Sequence, residues 1–302
     1  MRIFLCLAAV LLGLTACSSP PDTTEETPPA PLHKQLPLGA AFEEPGAVEP
    51  HEIDTDHLLP SQPADPYAPI DSIIRRGRLV VGVDQSQYLL SFRDPALGEQ
   101  RGFEVDLAHE IARDIFHNPK AVEFRYVDSA DRTSVLQNNT VDLVIRTVSI
   151  TRDRQEKVLF SEPYLWTNTR LAALRGSGIS SIADVSTETL CTTGNSIALE
   201  EARRRAPGAR KLVVRNWSDC LLALQQHQAD AIIGDDRILA GIQAQDPYVV
   251  VLSESLHHDQ YGVSAALSNE SIIRRVNATL ARIHADGTWD RMYTTWFGSR
   301  ES

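Results

Sequence analysis

The chain has 302 residues, 42% of them hydrophobic, and a formal net charge of −11. The length predicts about two domains, and the acidic balance argues against a nucleic-acid-binding protein, which would present a basic face. Residues 18–70 hold ten Asp/Glu and one Lys, so the acidity lies mainly in the N-terminal part and the remainder is nearly balanced.

The N-terminus is typical of an export signal. Arg2 precedes an apolar run over residues 3–16, which is too short to span a bilayer permanently and fits a signal peptide. The run ends in Leu-Thr-Ala-Cys, which resembles the lipobox of bacterial lipoproteins with Cys17 as the lipidated residue. We expect residues 1–16 to be removed and the mature chain to be anchored by lipid to the outer face of the cell membrane. An ordinary secretory signal, in which Cys17 is incidental, is the alternative.

Residues 17–70 have the composition of a disordered tether. Prolines recur, acidic residues are frequent, and large apolar residues are few. Such a segment buries too little apolar surface to fold and repels itself into an extended form. The stretch 51–59 is less polar, which leaves open whether it packs on the folded domain.

Strands and helices alternate from Asp71 onward. The apolar spacing predicts a short helix over Asp71–Arg76, a buried strand over Arg78–Val83 and a helix over Gly102–Phe116. A strand over Val122–Val127 and a short helix over Thr133–Gln137 follow. The alternation predicts an α/β fold with a mostly parallel sheet.

The stretch 141–154, VDLVIRTVSITRDR, changes from a buried strand to the start of a helix. Thr151 is a good helix cap, and Arg154 lies in the first turn that follows. Open α/β sheets place ligands where a strand ends and a helix begins, and free N–H groups and a guanidinium attract an anion there. A surface ion pair of Arg154 with Asp153 or Glu156 is the alternative.

The second half carries a near-repeat. Residues 136–145 and 224–233 share Leu, Gln, Asp and a final Ile in register, which indicates two lobes of similar architecture. Thr189–Thr193 is predicted as a strand that runs through Gly194-Asn195-Ser196 into a helix over Ile197–Arg205. The start of that helix is another position that favours an anion.

Four predicted strand ends carry polar turns, over residues 84–88, 146–154, 192–196 and 234–236. If these turns face one cleft, they bring a guanidinium, helix N–H groups and a carboxylate together. Such a set matches a zwitterion, with the ligand carboxylate on Arg154 and its ammonium on Asp235, because buried charges need partners.

The cysteine count agrees with export. Cys6 lies in the signal and Cys17 takes the lipid, so Cys191 and Cys220 remain. In an oxidising compartment such a pair is most simply a disulfide. A reactive thiol is the alternative, and metal binding is less favoured because the two residues do not form a CxxC clamp.

Ordered motifs over residues 78–298 resemble the bacterial extracellular solute-binding proteins of family 3, the polar amino-acid receptors of ABC transporters. A narrower likeness, in WSDCLLALQQ at 217–226 and DDRILAGIQAQDPY at 235–248, is to actinobacterial glutamine/glutamate-binding lipoproteins. The family motifs are LVVGVD (79–84), SFRD (91–94), GFEVDLAHEIA (102–112), VDLVIRTVSITRDR (141–154), FSEPY (160–164) and ADGTWDRMYTTWFG (285–298).

The resemblance implies two Rossmann-like lobes with parallel-dominated sheets, joined by a two-strand hinge as in type II periplasmic binding proteins. Lobe one would comprise residues 71–166 and 262–302, and lobe two residues 170–259. The hinge would lie at 167–169 and 260–262. Both remaining cysteines then fall in lobe two.

The resemblance also implies the ligand contacts. Arg154 corresponds to the arginine that binds the α-carboxylate, and Asp235 to the acid that binds the ammonium. Gln87 stands where many members stack an aromatic ring, which Tyr88 would partly replace. The expected ligand set is Asp84, Gln87, Tyr88, Arg132, Arg146, the carbonyl of Thr147, the hydroxyl of Ser149, Arg154, the N–H groups of Gly194, Asn195 and Ser196, and Asp235.

Two further arginines bear on side-chain specificity. Arg146 and Arg132 are each placed to meet a second carboxylate, which favours glutamate or aspartate over glutamine. For Arg146 the alternative is an ion pair with Asp84 or Glu104, and for Arg132 it is a surface charge at a helix start.

The expected function is therefore a lipid-anchored, monomeric receptor that hands a polar amino acid to an ABC permease, without metal, cofactor or nucleic acid. A sensor that signals through a membrane partner is the alternative. An enzyme on the same fold, such as a dehydratase or cell-wall lyase, is less favoured, because the sequence shows no nucleophile–base set, metal motif or cofactor fingerprint.

Overall fold

The computed structural model describes residues 35–299, so the predicted signal segment, Cys17 and the start of the predicted tether lie outside the described residues. Within residues 35–299, every helix is too short or too polar to span a lipid bilayer. The strands are β1 (Ala41–Glu43), β2 (Leu79–Val83), β3 (Ser86–Gln87), β4 (Ser91–Arg93), β5 (Gln100–Arg101), β6 (Val122–Tyr126), β7 (Leu143–Val144), β8 (Val158–Leu174), β9 (Thr189–Thr193), β10 (Arg210–Val214), β11 (Ala231–Asp235), β12 (Val249–Val251) and β13 (His257–Ala266). The α-helices are α1 (Asp71–Arg76), α2 (Phe103–Phe116), α3 (Ser134–Gln137), α4 (Arg152–Gln155), α5 (Ile197–Arg205), α6 (Trp217–Gln225), α7 (Asp236–Gln245), α8 (Glu270–Ala285) and α9 (Thr288–Phe297).

One large sheet runs through the described residues in the order β1-β10-β9-β11-β8-β13-β7-β2-β6, with β12 added beside β8. The triplet β10-β9-β11 is parallel, and so is the triplet β7-β2-β6. The two parallel triplets match the two Rossmann-like lobes that the family resemblance implies. The inner strands β2, β7 and β11 are buried, which suits their Val-, Leu- and Ile-rich sequences, whereas the edge strand β6 is partly exposed.

The long strands β8 and β13 run between the two triplets. They pair antiparallel along most of β13, and Thr169 of β8 pairs with both His257 and Asp235. The register shifts around Gly262, where an added Cβ would lie 2.9 Å from side-chain atoms of Ile150 and Phe160. A glycine therefore lets the chain pass at this irregularity.

The predicted helices and strands from Asp71 onward are present with shifted ends. Helix α1 and strand β9 have the predicted bounds, and α2 begins one residue later than predicted. The strand predicted in the stretch 141–154 is only the two residues of β7. The backbone leaves the extended form soon after it, and Thr147 takes a φ of 45°.

The prediction of a disordered tether is wrong for β1, and residues 51–61, part of which the sequence left open, contact the folded domain. Strand β1 pairs antiparallel with β10 at the edge of the sheet. The Arg210 guanidinium lies 3.6 Å from the centroid of the Phe42 ring. Glu43 forms an ion pair with Arg203, in which Arg203 Nη2 lies 2.5 Å from Glu43 Oε2. Composition misled because the polar residues of this segment find partners on the domain instead of in water.

A disulfide joins Cys191 of β9 to Cys220 of α6, with an S–S distance of 2.01 Å. The prediction from the cysteine count is confirmed. The two residues are 29 positions apart, so the chain-entropy model gives a stabilisation of roughly 3–4 kcal/mol. The disulfide fixes α6 against the sheet and so holds Trp217, the first residue of α6, which lines a cavity described below.

Candidate functional site

A small cavity lies where β7, β9 and β11 end. Three of the four polar turns predicted from the sequence reach it, those that follow β7, β9 and β11. Only about 10 Å³ is accessible to the centre of a water molecule, so a ligand must widen the cavity to enter. Its lining residues are Arg132, Thr147, Ser149, Arg154, Thr193, Ser196, Ile197, Trp217, Asp235 and Ile238.

Arg154 is placed by the helix start that the sequence predicts. Thr151 caps α4, because its hydroxyl accepts the Arg154 N–H at 3.3 Å. The guanidinium donates from Nη1 to the Ser149 carbonyl and from Nη2 to the Asn195 carbonyl, each at 2.9 Å. Burial lowers the pKa of Arg154 from its usual value, opposed by the nearby carboxyl of Asp259.

Arg132 brings a second guanidinium to the same place. It is buried, and it donates to the carbonyls of Ser129, Thr147 and Asn195 at 2.9, 3.1 and 2.9 Å. Burial and the charge of Arg154 hold the pKa of Arg132 well below its usual value. Arg132 is therefore no surface charge at a helix start, the alternative left open above. Two cations that share one neutral carbonyl oxygen would be better satisfied by a carboxylate.

Two carboxyl groups face the arginines. Asp235 ends β11 and accepts hydrogen bonds from the hydroxyls of Tyr261 and Thr169. Asp259 of β13 is also buried, and burial together with the charge of Asp235 raises its pKa to about 7. Burial raises the pKa of Asp235 too, so the two carboxyls titrate as a pair that favours one shared proton.

Sequence analysis gave Asp259 no ligand role. It is distant in sequence from Arg154, and the antiparallel bridge between Ser149 and Tyr261 of β13 brings it beside Ser149. One feature of the sequence indicates its position: Asp259 precedes Tyr261 by two residues in a strand. Because side chains alternate between the two faces of a strand, Asp259 lies on the same buried face as Tyr261.

A buried carboxyl holds the strained turn before Ser149. Glu104 of α2 accepts the Thr147 N–H at 2.7 Å and the Tyr164 hydroxyl at 2.5 Å. Burial raises the pKa of Glu104 to about 7. These bonds keep Thr147 at positive φ, so its carbonyl meets Arg132 in this structure. The Thr147 carbonyl that we expected to take an ammonium is thus bonded to a guanidinium here.

Arg146 lies behind the cavity and does not line it. Its side chain is fully buried, and its Nη2 lies 2.5 Å from Asp84 Oδ2. Nη1 donates to the Ser129 hydroxyl at 2.7 Å. The structure therefore shows the ion pair with Asp84 that the sequence left as the alternative for Arg146. The same ion pair occupies the Asp84 carboxylate, which we had expected to contact the ligand. Neither side chain is placed to touch a ligand in the cavity.

Gln87 and Tyr88, which were expected to contact the ligand where many family members stack an aromatic ring, do not line the cavity. Gln87 is buried and donates to the Thr147 hydroxyl at 3.3 Å, which makes it a support for the turn. Tyr88 packs on Phe92 with ring centroids 4.8 Å apart, and it is not among the lining residues. Its carbonyl fits against Gly241 of α7, where an added Cβ would lie 2.2 Å away.

The turn before α5 is only partly as predicted. Gly194 N–H donates to the Val214 carbonyl at 3.4 Å, so it is used by the sheet. Asn195 has a φ of 55°, and its carbonyl accepts both arginines. Ser196 caps α5 by accepting the Leu199 N–H at 3.1 Å, and the helix start faces the cavity through Ser196 and Ile197.

Trp217 supplies the aromatic surface that the sequence appeared to lack. It is the first residue of α6, is buried, and lines the cavity. Gly234 makes room for it, since a Cβ there would lie 2.7 Å from the indole. Among residues 35–299, no three side chains of His, Cys, Asp or Glu are grouped to hold a metal ion.

Comparisons with known proteins agree with this geometry. A family model described as bacterial extracellular solute-binding proteins, family 3, matches residues 79–299. The ABC transporter glutamine-binding protein GlnH of Bacillus subtilis is 29% identical over 221 residues, which are 72% of this chain and 81% of that protein. The glutamate-binding protein GluB of Corynebacterium glutamicum is 30% identical over 237 residues, 74% of this chain and 80% of that protein.

A solved structure shows the same fold. The ancestral amino acid-binding protein AncCDT-1, a precursor of cyclohexadienyl dehydratase, superposes with a TM-score of 0.69 at 27% identity. The match covers 75% of this chain and 98% of that chain.

Proposed function

The chain belongs to the bacterial extracellular solute-binding proteins of family 3, and on that basis we propose that it captures an acidic amino acid and delivers it to an ABC permease. Glutamate or aspartate is the favoured ligand, and glutamine is the second candidate. Lipid on Cys17 anchors the receptor to the outer face of the cell membrane. The relatives named for glutamine and for glutamate support this ligand class.

The proposal rests on one observation: two guanidiniums and the Asp235 carboxyl border one cavity, and the Asp259 carboxyl is buried close enough for the charge of Asp235 to raise its pKa. Arg154 holds the α-carboxylate, Asp235 with Asp259 holds the ammonium, and Arg132 is free to exchange its bond to the Asn195 carbonyl for a side-chain carboxylate. Each charge of an acidic amino acid then meets an opposite charge, as burial requires.

The ligand reaches this cavity by separation of the two lobes. We place lobe one at residues 71–166 and 262–302, lobe two at 170–259, and the hinge at 167–169 and 260–262. The pairing of Thr169 with strands on both of its sides supports a hinge at this point of β8. Residues 36–70 lie against both lobes and belong to neither range.

A thermal-shift screen of the twenty amino acids tests the proposal. A bound ligand raises the unfolding temperature by mass action, so L-glutamate or L-aspartate should give the largest rise. A flat response to all twenty contradicts it. Recovery of the bound amino acid unchanged after incubation separates a receptor from an enzyme on this fold. Co-purification from membranes separates a permease partner from a signalling partner.

Arg132→Gln should weaken L-glutamate binding about 10- to 150-fold more than L-glutamine binding. The reason is that Arg132 would pair with the side-chain carboxylate, and such a charged hydrogen bond is worth roughly 1.5–3 kcal/mol. Isothermal titration calorimetry with both ligands measures the ratio. An equal loss for both would assign Arg132 to general support of the cavity.

The two candidate ligands should differ in their dependence on pH. With neutral glutamine bound, the two positive charges of Arg132 and Arg154 are neutralised only when Asp235 and Asp259 are both ionised. With glutamate bound, which carries one negative charge, they are neutralised when the two aspartates keep one proton. The pKa of Asp259 is raised to about 7, so glutamine binding must release a proton below that pH and glutamate binding need not. From pH 8 to pH 6 we expect glutamine affinity to fall about tenfold and glutamate affinity to rise by up to about tenfold, because the glutamate complex keeps a proton that the ligand-free pair loses above pH 7.

Asp259→Asn should remove this difference between the two ligands, because the shared proton is then gone. Glu104 also titrates near pH 7, but its partners are the Thr147 N–H and the Tyr164 hydroxyl. A fall of equal size for both ligands, retained in Asp259→Asn, would assign the pH effect to Glu104 instead.

A further inference from the structure

A second cavity lies in front of Arg154, on the way to the first. Its volume is about 340 Å³, and Arg154, Ser196 and Ile197 line both cavities. One side of the outer cavity is α4 and the opposite side is the start of α5. Its third wall is formed by residues 51–54 of the N-terminal segment, which we call the latch segment. The sequence left open whether this stretch packs on the domain, and here it forms a wall of the cavity.

His51 of the latch segment contacts both sides of the cavity. Its backbone N–H donates to Glu200 Oε2 of α5 at 2.8 Å. Its ring Nε2 lies 2.5 Å from Asp153 Oδ2 of α4. Helix α4 precedes β8 in lobe one, and α5 lies in lobe two, so a single residue bridges the cleft.

The flanking parts of the segment are each fixed to one lobe. Before the latch segment, β1 pairs with β10 of lobe two. After it, Leu59 exchanges two hydrogen bonds with the Gln155 side chain, at 2.7 and 2.8 Å, and Ser61 donates to the Phe160 carbonyl at 2.8 Å. The Arg152 N–H donates to the Asp54 carbonyl at 2.9 Å, which fixes the latch segment itself to α4.

Among the contacts of the N-terminal segment, separation of the lobes therefore strains one in particular. Residues 44–50 are exposed and can span about 23–25 Å when extended, so β1 can remain on β10 while the lobes move apart. The bond from His51 to Glu200 has no such slack, because the latch segment stays on α4. This bond must break before the outer cavity opens.

We propose that residues 51–54 form a latch over the ligand cavity, and that His51 slows release of the bound amino acid by holding α4 and α5 together. The proposal rests on the proposed function, since it concerns exit from the same cavity. It adds to that function a kinetic role for a segment that precedes both lobes in sequence.

Dissociation of L-glutamate from the full mature chain, followed by stopped-flow fluorescence of its tryptophans, tests the latch. His51→Ala removes the hydrogen bond with Asp153, and we expect the dissociation rate to rise about two- to fivefold, as for the loss of one exposed hydrogen bond. Adding Glu200→Ala removes the bond to α5 as well, and the rate should rise further, to about tenfold.

His57→Ala is the matched control. His57 is an exposed histidine that follows the latch segment, and its ring Nδ1 lies 3.2 Å from Asp54 Oδ1, so that His57→Ala breaks no bond to α5. L-glutamate should dissociate from His57→Ala at the same rate as from the unmodified chain. Unchanged rates in both His51→Ala and the double variant would overturn the latch, whereas failure of the unmodified chain to bind any amino acid would overturn the proposed function instead. Circular dichroism melting confirms that each variant is folded.

Discussion

Arg154→Ala is expected to weaken L-glutamate binding by about 100-fold or more. The guanidinium now donates to two carbonyls at 2.9 Å, and a ligand carboxylate would take their place as a stronger, charged partner. Two hydrogen bonds to a charged group, each worth roughly 1.5–3 kcal/mol, give a loss of this size. Titration calorimetry with the purified receptor measures it, and L-glutamine should lose affinity to a similar degree because both ligands share the α-carboxylate.

Arg152→Ala is the matched variant on the same short helix. Its side chain is 36% exposed, and the Arg152 guanidinium lies 3.9 Å from Glu156, a contact of little energetic value. We expect a change of less than about twofold in affinity. Near-equal affinities of Arg152→Ala and Arg154→Ala would mean that neither guanidinium meets the ligand. The melting temperature of ligand-free Arg154→Ala shows whether the loss arises in the cavity or in the fold.

The elements of this fold follow from short-range pattern, and so does part of the site. Apolar spacing predicts α2 because Leu107 and Ile111 must face the sheet. The cap at Thr151 and the cap at Ser196 are local in sequence, so the positions of Arg154 and of the α5 start were predictable. Each depends on contacts within about five residues.

What could not be predicted depends on register between distant strands. Asp259 reaches Ser149 because the chain at Ser149 bridges antiparallel to Tyr261, two residues further along β13. Arg132 and Arg146 were both assigned to the ligand, and only the fold decides that one points into the cavity and the other toward Asp84. A pattern of residue types does not contain the direction of a long side chain.

The N-terminal segment shows the limit of composition as a guide. Its proline and acid content is that of a disordered chain, yet Glu43 and Glu44 pair with Arg203 and Arg210 of the domain. The pKa of Glu43 is lowered, chiefly by its hydrogen bond from Arg203. Disorder statistics assume that charges prefer water, and this assumption fails where a folded surface supplies the opposite charges.

The second large expected effect is a loss of stability when the buried ion pair of Arg146 and Asp84 is broken. Arg146→Met should lower the free energy of unfolding by about 3–5 kcal/mol, because it leaves the Asp84 carboxylate buried without its cation. Urea denaturation of the ligand-free protein measures the loss. Arg78→Met, which breaks the exposed pair with Glu123, should cost less than about 1 kcal/mol.

The double variant Asp84→Asn with Arg146→Met separates support from recognition. The amide oxygen that replaces the carboxylate at position 84 would still accept the N–H groups of Gln85 and Ser86, now bonded to Asp84 at 2.7 Å each, and no buried charge would be left unpaired. The double variant should therefore be more stable than Arg146→Met alone by roughly 2–3 kcal/mol. If Arg146 supports the turn from behind, restored stability brings back binding of glutamate and glutamine together. A stable double variant that binds glutamine but has lost glutamate would instead place Arg146 against the ligand side chain, because only a direct contact distinguishes the two amino acids.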